Sequence, residues 1–485
     1  MKKNKFWEWF QEVYDTVPAY RHYVDKHNVK IENFHDVPVI DKKSYINHYP
    51  LNELFSHGAM PSLGHSSSGS TGAPTFWFRG EKQTKIGKEI YREIFTDIFE
   101  IKKNEPTLVI ICFAMGVWVA GSYTLIACQK IAEEGHNLTI FPTGMDLQII
   151  CRILKESAPF FEHVILIGYP FFLDVVFGEV EKQSIPIHKS FFIVTAGDKF
   201  SEQWRISMLN KIGKPLEYYN RIINVYGTSD AGILGYETPF SIFIKQKAIK
   251  NLDLYKMIFG DSDPSVIPTL IQYDPDRTFF EVKDGELLLS TNIDCPLIRY
   301  NIHDRGRVIN FTEMKKMLAS CGINYKSQDS SGKSMPLKPF VVVDTRTDVA
   351  ITFNAVKIYP EQIRAGITDP KIAHILSGSF KACIKKDLNL ENRIHLTLEL
   401  VADLNEITTA IKQEISYCII EHLKSCNSEY RAVYTACSDL ATPMIDFSLY
   451  NPNQFLECKP IEDQPVLINI VGKKTKLLKP ELIVE

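Results

Sequence analysis

The chain has 485 residues, enough for two or three domains with sizeable cores. Hydrophobic residues make up 45% and charged residues 23%, which excludes wholesale disorder and a coiled coil. Lys plus Arg (55) nearly balance Asp plus Glu (58), so neither nucleic acid nor an anionic membrane is favoured as the main partner.

The opening run MKKNKFWEWF has basic residues but no long apolar core and no small-residue cleavage site. It reads as an amphipathic helix of a cytoplasmic protein, not as a signal peptide. From Pro106 to Gln129 there is no charged residue, a length that can span a bilayer. Met115-Gly116 breaks that run, and Gly121, Ser122, Thr124 and Gln129 dilute it. A buried strand, turn and helix are therefore expected there, with no membrane span.

Strand and helix signals then alternate. Strands are expected at Leu108–Phe113, Leu138–Phe141, Val164–Gly168, Phe191–Thr195 and Ile222–Tyr226. Helices are expected at Val119–Glu134, Asp146–Glu156 and Ser201–Lys211, with an amphipathic stretch ending at Lys182. Continuous apolar strands between helices mean an α/β fold with a mainly parallel sheet covered on both faces. The run from Ser327 to Lys333 reads as a polar surface loop. After about residue 345 the character changes. Arg393 to Val401 alternates as a half-buried strand, residues from Ile407 to Leu423 follow a helical period, and Val466–Val471 is a last strand. Two or three strands with helices suggest a small α+β domain. The ten cysteines are scattered, with no CxxC pair, which argues against a zinc site and a disulfide framework.

Three runs can carry chemistry. Ser66 to Thr75 contains Ser67, Ser68, Gly69, Ser70, Thr71 and Gly72, small residues whose backbone N–H and hydroxyl groups can wrap an anion. Ser70 stands where a Walker lysine belongs, so a P-loop NTPase is discounted. Asn224-Val225-Tyr226-Gly227-Thr228-Ser229-Asp230 ends a strand in a turn, where ligands of parallel sheets gather. Tyr226 can stack on a base, Thr228 can touch phosphate, and Asp230 can hold Mg²⁺ through oxygen. Arg299-Tyr300-Asn301-Ile302-His303-Asp304-Arg305-Gly306-Arg307 offers a carboxylate for ribose hydroxyls, with arginines to neutralise it or hold phosphate. Alone, each has a plainer reading: a flexible linker, a strand exit, a surface charge cluster.

In this order the three runs resemble the adenylate-forming acyl- and aryl-ligase superfamily. The nearer likeness is to its phenylacetate–CoA ligase-like branch, with members in capsular polysaccharide and phenazine biosynthesis. Val17-Pro18-Ala19-Tyr20-Arg21 and Val37-Pro38-Val39-Ile40-Asp41-Lys42 look like that branch's start. Ala196 to Glu202 looks like its glycine–acid turn, and Arg346-Thr347-Asp348 like the arginine and hinge aspartate before the small domain. Val356 to Ile363 looks like that domain's opening, so the likeness covers nearly the whole chain.

The resemblance implies an adenylating domain over residues 1–347 and a mobile C-terminal lid over 348–485. It implies ATP and Mg²⁺, attack of a carboxylate on the α-phosphorus, and transfer of the acyl group to a thiol or amine. By position, Ser67 to Gly72 would hold phosphates. Gly197, Asp198 and Tyr226 would line the nucleotide, with Gly227 permitting the turn. Thr228 would meet phosphate, Asp230 the magnesium and Asp304 the ribose, while Arg346 would support the nucleotide and Asp348 form the hinge. Trp118, Gly232 and Ile233 are candidates for the acid pocket, with an aromatic or cyclic acid slightly preferred. In Val471-Gly472-Lys473-Lys474 an apolar strand ends in Gly-Lys, as the superfamily's catalytic tail does, so Lys473 is the expected adenylation lysine, with Lys474 its competitor. Coenzyme A, a carrier protein and an amine all remain open as acceptor, and so does a homodimer.

Three positions depart from the pattern. Asp230 stands where Glu is usual, Ala73 where a lysine is often found, and Ala355 where a glycine lets pantetheine pass. Ala355 leads us to expect coenzyme A to be a poor acceptor. The rival reading is a non-catalytic nucleotide- or acid-binding descendant of the fold, since fold does not fix function. Retention of Asp304, Tyr226 and the Ser/Thr loop favours the enzyme.

Overall fold

The computed structural model describes residues 5–66, 75–197, 199–216, 218–260, 267–323, 337–346, 351–353, 356–358, 360–386, 392–401, 407–436, 438–449, 467–471 and 474–478. Contacts divide the chain into two compact units, a larger one reaching Arg346 and a smaller one from Thr347 onward.

The larger unit opens with helices α1 (Lys5–Thr16) and α2 (Pro18–Lys26). Pro18 sits at the first position of α2, where a missing N–H costs nothing. A hairpin of β1 (Leu63–Ser66) and β2 (Phe76–Arg79) follows, with His65 opposite Trp77 and Leu63 opposite Arg79. Helix α3 (Glu81–Glu93) leads into the alternating core. This comprises β3 (Thr107–Cys112), α4 (Val119–Glu133), β4 (Leu138–Phe141), α5 (Leu147–Glu156), β5 (His163–Gly168), α6 (Pro170–Lys182), β6 (Phe191–Ala196), α7 (Glu202–Lys211) and β7 (Ile222–Thr228). The uncharged run from Pro106 to Gln129 is thus a strand, a turn and a helix. Among the described residues no helix is long and apolar enough to cross a membrane.

Every residue of β3 is buried, because helices cover both faces. Val109, Ile111 and Phe113 face one layer with Ala127 and Ile131 of α4, while Leu108 and Ile110 face the other with Ile150 and Leu154 of α5. Strands with two buried faces can afford no polar alternation, which is why they read as unbroken apolar runs.

Strand β7 is paired on its other edge by β8 (Gly232–Tyr236), which runs antiparallel. Helices α8 (Pro239–Ile249) and α9 (Leu252–Phe259) come next, then β9 (Thr269–Gln272), β10 (Phe279–Lys283), β11 (Glu286–Thr291), β12 (Leu297–Ile309), α10 (Phe311–Ser320) and β13 (Phe340–Arg346). One 11-stranded sheet results, in the order β10-β11-β12-β13-β9-β8-β7-β6-β5-β3-β4. It is parallel from β4 to β7 and antiparallel beyond.

The smaller unit has a hairpin of β14 (Ile351–Phe353) and β15 (Val356–Ile358), then helix α11 (Pro360–Ile367). Next come β16 (Leu376–Lys386), β17 (Asn392–Leu400), helix α12 (Thr409–Cys426), β18 (Met444–Leu449), β19 (Leu467–Val471) and β20 (Lys474–Leu478). The order β18-β17-β16-β19-β20 makes a five-stranded sheet, more than the two or three strands expected. Ile394, Leu396, Leu398 and Leu400 pack with Ile415, Ile419 and Leu423 of α12, so the alternating strand and the helical period meet as one core.

Candidate functional site

Strand β7 delivers the central residues. Its last turn is shaped by Gly227 and Gly232, which face each other across β7 and β8. A Cβ on Gly227 would lie 2.5 Å from the Gly232 carbonyl oxygen. Gly232 has φ +75°, a region that side-chain-bearing residues rarely adopt. The Thr228 hydroxyl accepts from the Ala231 N–H at 3.0 Å and closes the turn.

Two carboxylates, one buried and one partly buried, are clamped beside it by tyrosines. Tyr226 donates its phenolic hydrogen to Asp304 at 2.5 Å, and Tyr300 donates to Asp230 at 2.6 Å. Asp304 and Tyr300 both lie on β12, so one strand holds both ends of the turn. A bulge after Asp304 and positive φ at Arg299 and His303 (51° and 58°) break the regular pleat of β12 around Asp304. Arg346 on β13 stands opposite Asp304 in register. Lys199 donates to the Asp344 carbonyl at 3.1 Å, tying the exit of β6 to β13.

Gly197 has φ +107°, and a Cβ there would lie 2.5 Å from the Tyr169 ring. Only glycine lets this turn pass so close to the ring. Trp118 is half-buried at the start of α4 and pairs with Ser66 at the root of the hairpin, where the Ser66 N–H meets the Val117 carbonyl at 2.9 Å.

Residues that sequence reasoning gave no role complete the arrangement. Lys42 lies 3.4 Å from Asp230 and 5.7 Å from the Trp77 ring centre. It is brought there by the N-terminal segment, where Ile40 bridges Tyr300 and the Asn301 N–H reaches the Ile40 carbonyl at 2.8 Å. Arg79 is fully buried. It donates to the Ser229 carbonyl and sits 3.1 Å from His65 Nδ1. His65 Nε2 in turn meets Ser122 at 2.9 Å. Burial, then the neighbouring guanidinium, pushes His65 down to about 4, so it is neutral at pH 7. Burial lowers Arg79 to about 10, still cationic. The one available signal was Arg79 two residues after Trp77 in an aromatic strand, which puts both on one face.

Two arginines of the 299–307 run, Arg299 and Arg307, are held by other segments. Arg299 is buried, pairs with Glu281 at 3.1 Å and donates to the Val37 carbonyl at 2.6 Å, and Arg307 donates to the Met257 carbonyl at 2.7 Å. Both are spent fastening other segments, because a strand sends neighbouring side chains in opposite directions.

A hydrated Mg²⁺ needs one or two carboxylates and takes its remaining oxygens from water and phosphate. The single Asp230 carboxylate, with Lys42 beside it as a cation already in place, fits that mode. The described residues offer one cluster with several metal-ligating groups, Glu105, Glu162 and His163, at the opposite end of β3 and β5. There Glu105 already accepts from the Lys102 N–H at 2.8 Å.

No protein-family model and no curated protein sequence matches the chain. Solved structures do. The chain is similar to 2-hydroxyisobutyryl-CoA ligase in the postadenylation state in complex with R3-HIB-AMP, with TM-score 0.61, 12% identity, and 92% of this chain and 85% of that one covered. It is also similar to the acyl acid amido synthetase AtGH3.15 in complex with 2,4-DB, with TM-score 0.54, 13% identity and 92% and 87% covered. The chain has the fold of the adenylate-forming ligases. On this fold Gly197, Tyr226, Gly227, Thr228, Asp230, Gly232, Ile233, Trp118 and Asp304 all belong to the larger unit. Ser67 to Gly72, Asp198, Asp348, Ala355 and Lys473 lie outside the described residues.

Proposed function

We propose that the chain is an AMP-forming acid ligase of the phenylacetate–CoA ligase-like kind, acting in the cytoplasm. The observation that carries this reading is the pair of tyrosine-clamped carboxylates, Asp304 and Asp230, at the two ends of the β7 turn. Asp304 would take a ribose and Asp230 a hydrated Mg²⁺. Attack of the acid on the α-phosphorus builds negative charge, which fixed cations and N–H donors stabilise best where water is excluded. Lys42 and Arg79 supply such charge from the described part of the site. When bound, Mg²⁺ would add charge neutralisation along the polyphosphate. Ser67 to Gly72 would wrap the phosphates, Gly197 and Asp198 the base, and Arg346 the nucleotide from beside Asp304. The acid would lie along Trp118, Gly232 and Ile233.

The unit from residue 348 would act as the lid, with Asp348 its hinge and Lys473 its catalytic lysine. Lys473→Ala should abolish adenylation while transfer from a supplied acyl-adenylate survives. Transfer to a carrier thiol or amine is favoured over coenzyme A by Ala355. Pyrophosphate exchange with aryl and aliphatic acids tests the whole reading. Intact ATP binding with no exchange on any acid overturns it.

A further inference from the structure

Arg79 is fully buried, yet the groups it bonds carry no charge. Its Nη2 donates to the Ser229 carbonyl in the β7–β8 turn, and its Nη1 donates to His65 Nδ1 at 3.1 Å. Its Nε has no partner among the described residues. A buried cation with no bonded carboxylate costs stability, and an apolar side chain of similar volume would serve packing as well or better. What the guanidinium can supply is geometry, because its planar fork holds its acceptors in set directions.

A guanidinium can only donate, so it dictates the state of His65. Nδ1 must accept, which places the ring proton on Nε2. Nε2 then donates to Ser122 Oγ at 2.9 Å, and the Ser122 hydroxyl donates to the Trp118 carbonyl at 2.9 Å. The direction of the whole chain is thus set from Arg79 outward. Burial, then the guanidinium, depresses His65 to about 4, so the ring keeps this neutral form near pH 7.

The two ends of the chain belong to different parts of the site. Ser229 precedes Asp230, which would meet Mg²⁺ beside the polyphosphate. Trp118 is the N-cap residue of α4 and would wall the acid. Backbone contacts reinforce that second end. Ser66, next to His65, bridges Trp118, and its N–H donates to the Val117 carbonyl at 2.9 Å. The first end is reinforced by Trp77, which stands opposite His65 in the hairpin and packs edge-on against Tyr300, the clamp of Asp230. A shift of the Ser229 carbonyl therefore acts in turn on Arg79, His65, Ser122 and the start of α4. Contiguous hydrogen-bond chains of this kind can carry coupling between sites.

We propose that His65 is a positioning residue that couples the β7–β8 turn to the first turn of α4, so that ATP bound at one end orders the wall for the acid at the other. The inference rests on the ligase reading for the place of both ligands.

Hydrogen exchange of the full chain, with and without the α,β-methylene analogue of ATP and Mg²⁺, tests it. In the wild type the analogue should slow exchange in residues 228–231 and, by about fivefold or more, in residues 119–126. His65→Leu and Ser122→Ala should keep the first effect and lose the second. His65→Gln should retain both, because its Oε1 can accept from Arg79 and its Nε2 can donate to Ser122. Ser122→Thr, which keeps the hydroxyl, should retain both as well. A merely structural role would raise exchange in α4 with and without the analogue alike. The ratio would then stay as in the wild type, and that result overturns the proposal. A response in residues 228–231 of the wild type with none in α4 overturns the coupling and leaves the nucleotide reading standing. No response in either segment overturns the nucleotide reading, and the coupling with it.

Discussion

Glu237→Gln should be among the most damaging single substitutions in the chain. Glu237 is fully buried just after β8 and bonds Arg205 at 2.7 Å, Lys245 at 2.8 Å and the Asn224 N–H at 3.1 Å. Glu202, also buried, bonds Arg205 at 2.8 Å, Lys245 at 2.5 Å and the Tyr218 hydroxyl at 2.5 Å. Two carboxylates and two cations therefore balance inside the protein. Burial alone would raise the Glu202 pKa, but Arg205 and Lys245 outweigh it and hold it well below the usual carboxylate range. Removing one carboxylate strands a positive charge, which costs about 3–5 kcal/mol. At roughly 2–4 °C per kcal/mol for a large domain, Tm falls by about 6–20 °C. Scanning calorimetry of the full chain reads this directly. The double variant Glu237→Gln, Lys245→Met restores the charge balance and should recover at least half of the loss. A single variant within about 2 °C of wild type would refute the reasoning. So would a double variant no more stable than the single.

Tyr226→Phe removes a hydrogen bond to a buried carboxylate, about 1.5–3 kcal/mol, so ATP should bind roughly tenfold to a hundredfold more weakly. An unchanged Kd would take Asp304 out of the nucleotide site. Gly232→Ala forces a Cβ to 2.6 Å from the Gln83 amide at φ +75°. It should destabilise the fold by at least about 1 kcal/mol and abolish acid binding, as denaturant melts and titration would show. His65 is depressed to about 4 when folded, against an unfolded value near 6.5, so between those limits the unfolded chain takes up a proton that the folded one refuses. Stability should therefore rise with pH across that window. His65→Gln should flatten the slope of Tm against pH, and an unaltered slope would exclude His65 as its source.

The parallel half of the sheet was legible because burial on both faces leaves a strand no polar position. Leu138–Phe141 matches residue for residue, and the helices at 147 and 202 begin just after Asp146 and Ser201, whose side chains cap them. The antiparallel half was harder to read. Strand β8 is Gly-Ile-Leu-Gly-Tyr, all buried, with neither alternation nor length to mark it. In β12 a bulge and two positive-φ residues break the period. The β7 turn was visible as a local run, but its partners were not. Lys42, Arg79 and Tyr300 reach it from segments 188, 150 and 70 residues away, and no local pattern encodes such pairings. The same limit hid the partners of Arg299, which pairs with Glu281 and donates to the Val37 carbonyl 262 residues upstream.

That upstream segment has a temporal meaning. Residues 35–42 are fastened to β12 through Arg299 and through Ile40, yet β12 is synthesised some 260 residues later. Domains fold as the chain emerges, but the part of this segment's packing that β12 supplies is missing until the ribosome has passed Ile309. Until then α1 carries Trp9 and Phe10 without their final cover, and Phe6 without the Phe279 ring it stacks on at 3.8 Å. At roughly 5–20 residues per second the wait lasts on the order of 10–60 s. Helix α1 is thus made well before its aromatic face is fully covered. During that interval Phe6 on this helix lacks the ring it finally stacks on.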